Sequence, residues 1–239
     1  MIKLVSWLIS KIKHREYKVD ERITSGDLIM IIIGRTLMIL RGIHHKILFK
    51  KAPGAIFVGK NVNIYSHKNM ECGRGITIED GCFINALCKN GVHIGKNFSL
   101  GRNSIIECTG VIRELGDGLF IGDDVGIAAN AFISMRGKVE IGRNTIFGPG
   151  VKLFAENHNF ADLEIPIFLQ GATRKGIKIG EDCWIGANAV ILDGVHIGNK
   201  VIVAAGAVVN KDIPDYSIVG GIPAKVVKMR YAEIEKIGS

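Results

Sequence analysis

The sequence predicts an all-β solenoid, a stack of short strands joined by tight turns, on three observations. Branched apolar residues recur every six positions at Ile179, Ile185, Ile191, Ile197, Val203 and Val209. Gly180, Gly186 and Gly198 directly follow three of these anchors. Thirty glycines and only 7% aromatic residues suit a narrow core of Ile, Val, Leu and Ala rather than a thick sandwich core. A period of six fits neither a helix nor a lone strand, so each triplet of hexads reads as one triangular coil that buries its apolar column only by stacking on the next.

Residues 1–52 differ in kind. The opening MIKLVSWLISKIKHREYK reads as a short amphipathic helix with Trp7 and basic residues, and its apolar stretch leads into a basic segment rather than a small-residue cleavage site, so no signal peptide is expected. From Asp27 to Phe49 one apolar run ends at Ile33, Gly34 and Arg35 follow, and a second run covers Leu37 to Leu40. That is short of the roughly 20 apolar residues a span needs, and Arg35 and Arg41 would lie inside it. The segment is expected to be a buried or interfacial helix. It could pack against a repeat end or a partner subunit, or make peripheral contact with an anionic membrane surface.

The solenoid is assigned to residues 53–219 and a tail to 220–239. Upstream anchors are Val58 and Ile64, Ile78 and Ile84, then Ile94, Leu100, Ile106 and Ile112, followed by Ile121, Ile127, Ile133, Ile141, Phe147 and Leu153. The Asn and Asp that follow many anchors tolerate the left-handed backbone of a corner. Slight interruptions at Val111 to Phe120 and Ser134 to Val139 predict small corner protrusions. The period breaks outright once, at 154–176, which predicts an extruded loop.

Charge and cysteines exclude several classes. The net charge of +8 sits largely in the N-terminal segment and the last third, without a recognition motif or a basic run interleaved with aromatics, so no nucleic-acid partner is expected. Cys72, Cys82, Cys88, Cys108 and Cys183 are odd in number and form no C-x-x-C pair. They read as reduced residues of a cytoplasmic protein rather than a disulfide framework or a zinc site, and no metal is expected.

A purely structural solenoid gains nothing from extruding about twenty residues, whereas a site can use such a loop to wall a cleft. His158 stands at its start, in Glu156-Asn157-His158-Asn159. An imidazole that titrates near neutrality can take a proton from a hydroxyl or an amine and return it. Glu156 could orient it by accepting its second N–H, or Asn157 or Asn159 could do so through an amide oxygen.

The hexads, this loop, IGEDCWIGANAVILDGVHIG, the Asn210-Lys211-Asp212-Ile213-Pro214 segment and the closing Gly220-Gly221-Ile222-Pro223-Ala224-Lys225 together resemble the left-handed β-helix acyltransferases of the hexapeptide-repeat family, over roughly residues 55–230. Within it the chain looks most like the O-acetyltransferases of bacterial capsule, exopolysaccharide and lipopolysaccharide, including colanic acid and galactoside or maltose types. The resemblance implies a single-stranded, left-handed parallel β-helix and a homotrimer with acetyl-CoA in the groove between subunits. It implies direct transfer of the acetyl group to a sugar or lipid-linked glycan hydroxyl, with His158 as general base and a backbone N–H near Ala187 as oxyanion donor. Trp184 and Ala187 match positions lining the acyl-donor groove, and Lys211, Lys225 and Lys228 match basic positions near its phosphates. The N-terminal segment departs from the helical leader of the free-sugar enzymes, which points towards an acceptor presented at the inner membrane. Transfer to an amino sugar or a small non-sugar acceptor, and a non-catalytic or metal-binding solenoid, are the alternatives.

Overall fold

The structure, a computed structural model, describes residues 18–108 and 112–231 together with Ser6, Trp7, Ser10 and Glu16. The amphipathic helix expected in the first eighteen residues falls almost wholly outside them, as does the end of the tail.

Three sheets form the faces of a triangular prism, entered in the same order in every coil. The first face runs from Ile56–Val58 to Ser217–Gly220 and is closed by Lys225–Met229, which folds back antiparallel on Ser217–Gly220. The second face runs from Asn63–Tyr65 to Val208–Val209, and the third from Met70–Cys72 to His196–Ile197. Apart from that last strand the pairing within these faces is parallel, and the chain is the expected left-handed β-helix with a helical N-terminal element.

The register explains why a six-residue beat gives this shape. On the first face Val58, Ile78, Leu100, Ile127, Phe147, Ile185, Val203 and Val219 stack in one column. On the second, Ile64, Ile84, Ile106, Ile133, Leu153, Ile191 and Val209 do the same. The third column is Cys72, Ile94, Ile121, Ile141, Ile179 and Ile197. All are buried and meet in one continuous core. Corners are turned by residues such as Asn97, Asn130 and Asn188 at φ of 54°, 62° and 57°, where a short amide side chain tolerates left-handed backbone.

One expected anchor is not in the core. Ile112 is 88% exposed, because the chain leaves the coil after Ile105–Glu107 and regains it near Gly116, which bridges to Cys88. The third-face position of that coil belongs to Ile121. All five cysteines are buried and free. Burial pushes the Cys72 thiol up to about 12 and raises that of Cys183, whose Sγ lies 3.2 Å from the Gly198 carbonyl oxygen.

Ahead of the first coil the helix α1 (Ser25–Leu48) runs unbroken through Gly34 and Arg35. Thr24 and Asp27 cap it reciprocally: each side chain accepts from the other's backbone N–H. The helix lies along Ile56–Val58, with Arg41 Nε donating to the Val58 carbonyl at 2.9 Å and His45 Nδ1 at 2.9 Å from His67 Nε2. Gly42 makes the approach feasible, since a Cβ there would run into the Ile56 carbonyl. Only Leu28 and Gly42 of the helix are buried, so within one chain the helix is not the buried element expected, and most of its apolar side chains face outwards.

Gly42→Val should therefore lift α1 from the first coil at a cost of about 1–3 kcal/mol. Hydrogen exchange should show faster exchange in Ser25–Leu48 with protection of the later coils retained; unchanged exchange in the helix would contradict the contact.

Candidate active site

The break in the repeat is an excursion from the corner between the second and third faces. The chain departs after Lys152–Phe154 and resumes at Ile177–Ile179. At its neck Asn157–His158 pairs antiparallel with Ala172–Thr173, so the loop is a hairpin rather than an open strap. Asn159 ties the neck together: its N–H donates to the Gly171 carbonyl, its Nδ2 to the Gln170 carbonyl, and its Oδ1 accepts from the Thr173 hydroxyl at 2.8 Å. Further out, Gln170 Nε2 donates to the carbonyls of Asp162 and Ile165, while Asp162 Oδ1 accepts from two backbone N–H groups.

Glu156 does not orient His158. Its Oε2 accepts from Arg174 Nε at 2.6 Å and from Arg136 Nε at 3.2 Å. Arg174 also donates to Glu114 Oε2 at 2.8 Å, and Arg136 to the Glu114 carbonyl at 3.1 Å. Glu156 immediately precedes the paired neck and Arg174 immediately follows it, so this two-arginine, two-glutamate cluster clamps both stems of the hairpin to the preceding coil and to the protrusion at 112–116. Burial alone would raise the Glu156 carboxyl, but the hydrogen bonds and charges of Arg174 and Arg136 outweigh it and hold it below the ordinary 4.5.

His158 and Asn157 are exposed, and the His158 imidazole has no hydrogen-bond partner among the described residues. The ring is thus open to an incoming group, on a neck that other residues hold rigid. Neither Asn157 nor Asn159 accepts from it; Asn159 is committed to the hairpin. Around the neck the loop exposes Phe160, Leu163, Phe168 and Leu169, at 63–93% of their surface.

The other residues singled out from the sequence gather on the first face and its edges. Trp184 is half-exposed, in register between Ile146 and Ile202. Ala187 turns the corner between the first and second faces, within a run of small corner residues: Gly148-Pro149-Gly150 in the coil before it and Ala204-Ala205-Gly206 in the coil after. At some other corners the equivalent N–H is capped by a side chain of the next coil, as Lys60 is by Asp80 Oδ1 and Lys96 by Asp123 Oδ1, whereas those of Asp80 and Ala129 are not. Ala187 and Ala205 lack that cap, and among the described residues their N–H groups have no acceptor. Lys225 and Lys228 are exposed on the returning strand of the first face, and Lys211 is exposed just past the end of the second. His158 and Ala187 therefore stand on different edges of the prism, and one chain does not bring them together. Among the described residues no group of three or more His, Cys, Asp or Glu could hold a metal ion.

Sequence comparison places this architecture. Residues 176–211 match the bacterial transferase hexapeptide (six repeats) family. A putative lipopolysaccharide biosynthesis O-acetyl transferase of Escherichia coli is 30% identical over 146 residues, 57% of this chain and 71% of the relative. A probable acetyltransferase of Mycobacterium tuberculosis is 33% identical over 180 residues, 74% of this chain but 51% of the relative, so the chain spans about half that protein's length. Among solved structures, a Bacillus cereus N-acyltransferase in complex with dTDP-4-amino-4,6-dideoxyglucose and coenzyme A has the same fold, with a TM-score of 0.54 at 20% identity over 83% of this chain and 95% of that one. The chain belongs to the hexapeptide-repeat acetyltransferase family.

Because Glu156 is held ionised by its arginines, its contribution to the loop is complete above pH about 4.5 and is lost as pH falls through its lower folded value. Hydrogen exchange across 155–176 should accelerate over that acid range in the parent, and at neutral pH in Arg174→Ala, with a cost of about 1–3 kcal/mol. Equal protection in the variant would mean that the ion cluster does not hold the hairpin.

Proposed function

We propose that the chain transfers an acetyl group from acetyl-CoA to a nucleophile on a sugar or glycan-precursor acceptor, with His158 as the general base. The observation that carries the reading is the imidazole of His158, unpaired and presented on a rigid hairpin outside an otherwise regular solenoid. His158 takes the acceptor's proton as its oxygen or nitrogen bonds to the thioester carbonyl carbon. The C–S bond then breaks, and His158 returns the proton to the departing thiolate, so no acyl-enzyme is needed. The buried thiols, raised in pKa at Cys72 and Cys183, fit this direct route better than a covalent one.

The donor fits the small-residue edge. The small side chains of Ala187 and Ala205 and the open space at Gly206 leave room for a thin chain, and the uncapped N–H groups of Ala187 and Ala205 supply donors for its amides or for the oxyanion. Trp184 offers a flat apolar wall on the adjoining face, and Lys211, Lys225 and Lys228 offer charge for phosphates. Because the donor edge and His158 lie on separate edges, the site is completed by a second copy, which the homotrimer supplies. The exposed Phe160, Leu163, Phe168 and Leu169 give the loop an apolar surface for that neighbour. The reading places the protein in the cytoplasm, peripheral to the inner membrane.

Two acceptor nucleophiles have support. The Escherichia coli relative, an O-acetyl transferase by name, favours a hydroxyl. The amine of an amino sugar has the Bacillus cereus fold neighbour, an N-acyltransferase bound to an amino-sugar nucleotide, on its side. A base of imidazole strength serves either.

Coenzyme A release should be followed with acetyl-CoA against nucleotide sugars, amino-sugar nucleotides and lipid-linked glycans. His158→Ala should lose about 10²–10⁴-fold in acceptor-dependent turnover while acetyl-CoA binding by calorimetry persists; turnover within a few-fold of the parent would remove His158 from the chemistry. Light scattering should return a trimer, and a monomer that turns over acceptor would refute the shared site.

A further inference from the structure

We propose that the outward face of α1 (Ser25–Leu48) binds an anionic lipid surface, with the helix axis lying in the membrane interface. It deepens the peripheral membrane placement proposed above but uses none of the residues assigned to the site, so its failure would leave the acyl-transfer chemistry standing.

Wound at about 100° per residue, Ile29, Ile33, Leu40, Ile43 and Ile47 fall within roughly 80° of arc and run along almost the whole helix. They are 48%, 48%, 58%, 48% and 77% exposed, so the stripe is uncovered rather than core that faces inwards. The opposite side meets the first coil through Gly42, against the Ile56 carbonyl, and His45, against His67. Arg41 lies on one flank of the stripe, Arg35 and Lys46 on the other. Arg41 is tethered to the Val58 carbonyl and Arg35 stands 5.6 Å from the Phe57 ring centre, which sets positive charge at the junction between helix and coil. With the stripe immersed, those guanidinium groups lie at headgroup level.

Charge selects the occupant. The one carboxylate on the helix, Asp27, is engaged by Thr24 in the N-terminal cap. A second copy of α1 laid on the stripe would bring arginines and lysines of like sign against each other along both rims, whereas anionic headgroups complement both. Length selects the geometry: no described helix is long and apolar enough to cross a membrane, while a 24-residue helix lying flat presents about 36 Å of apolar edge.

The test is co-sedimentation of the full chain with vesicles of phosphatidylcholine alone and of phosphatidylcholine with phosphatidylglycerol. It is run for the parent and for the triple variant Ile33→Gln, Leu40→Gln, Ile43→Gln, whose substitutions are all at exposed positions. The parent should pellet with the anionic vesicles, bind the neutral ones about tenfold or more weakly, and lose affinity with added salt. The triple variant should lose about tenfold or more of the anionic binding with its melting temperature and light-scattering mass unchanged. A parent that remains in the supernatant with both vesicles overturns the proposal, as does a triple variant that pellets like the parent. A variant of smaller mass than the parent overturns it in favour of an interface between copies.

Discussion

A single coil of this solenoid is too thin to bury anything, and the rest of the molecule follows from that. Ile191 is shielded because Leu153 lies beneath it and Val209 above it in register. Each such side chain contributes about 1.5–3 kcal/mol only when both neighbours are in place. A strand cannot be lengthened or shifted without breaking three columns at once, so variation is confined to the corners. The protrusion at 112–116 and the hairpin at 155–176 both leave from the corner between the second and third faces, and the small-residue edge of Ala187 and Ala205 is a corner as well. The chemistry of this chain is therefore edge chemistry, and an edge exposes a group without enclosing it.

An exposed loop on such an edge needs another source of rigidity, and the ion cluster supplies it. Two arginines and two glutamates balance in charge, and Glu156 and both arginines are at least four-fifths buried, so the cluster is worth more than a surface pair. Its sensitivity is equally clear: removing one partner leaves a partly buried charge uncompensated. Placing Glu156 and Arg174 at the two stems lets one cluster fix both, and leaves the His158 ring unencumbered.

The columns were legible because side-chain type alone encodes them: a branched apolar residue at every sixth position matches the period of a stacked coil and of no helix or single strand. Ile112 misled because counting by six does not register an excursion that keeps the phase by chance. The excursion at 154–176 and the singular setting of His158 were legible as a break in period, whereas the partners of Glu156 were not, since proximity in the chain suggested His158. Arg136 precedes Glu156 by the same twenty residues that separate Ile133 from Leu153, so the coil period itself contained the pairing. The outward face of α1 lay beyond any periodicity argument. A pattern shows which residues are apolar, and only the fold shows what they meet.

The two ends of the proposal constrain each other. Along the first face, strands begin at Ile56, Ile76, Ser99, Gly126 and Ile146, so the coil that emits the His158 hairpin is the fifth, four strand spacings from the coil that carries α1. At about 4.8 Å each, that places the imidazole roughly 20 Å along the solenoid axis from the lipid-facing helix. A sugar linked directly to a lipid headgroup would not cover that distance, whereas a glycan extended by several units would, as would a soluble nucleotide sugar approaching from the side. On these two proposals together, membrane attachment through α1 selects for acceptors that stand clear of the bilayer, and chain length, more than the identity of the lipid, decides which tethered glycans reach His158.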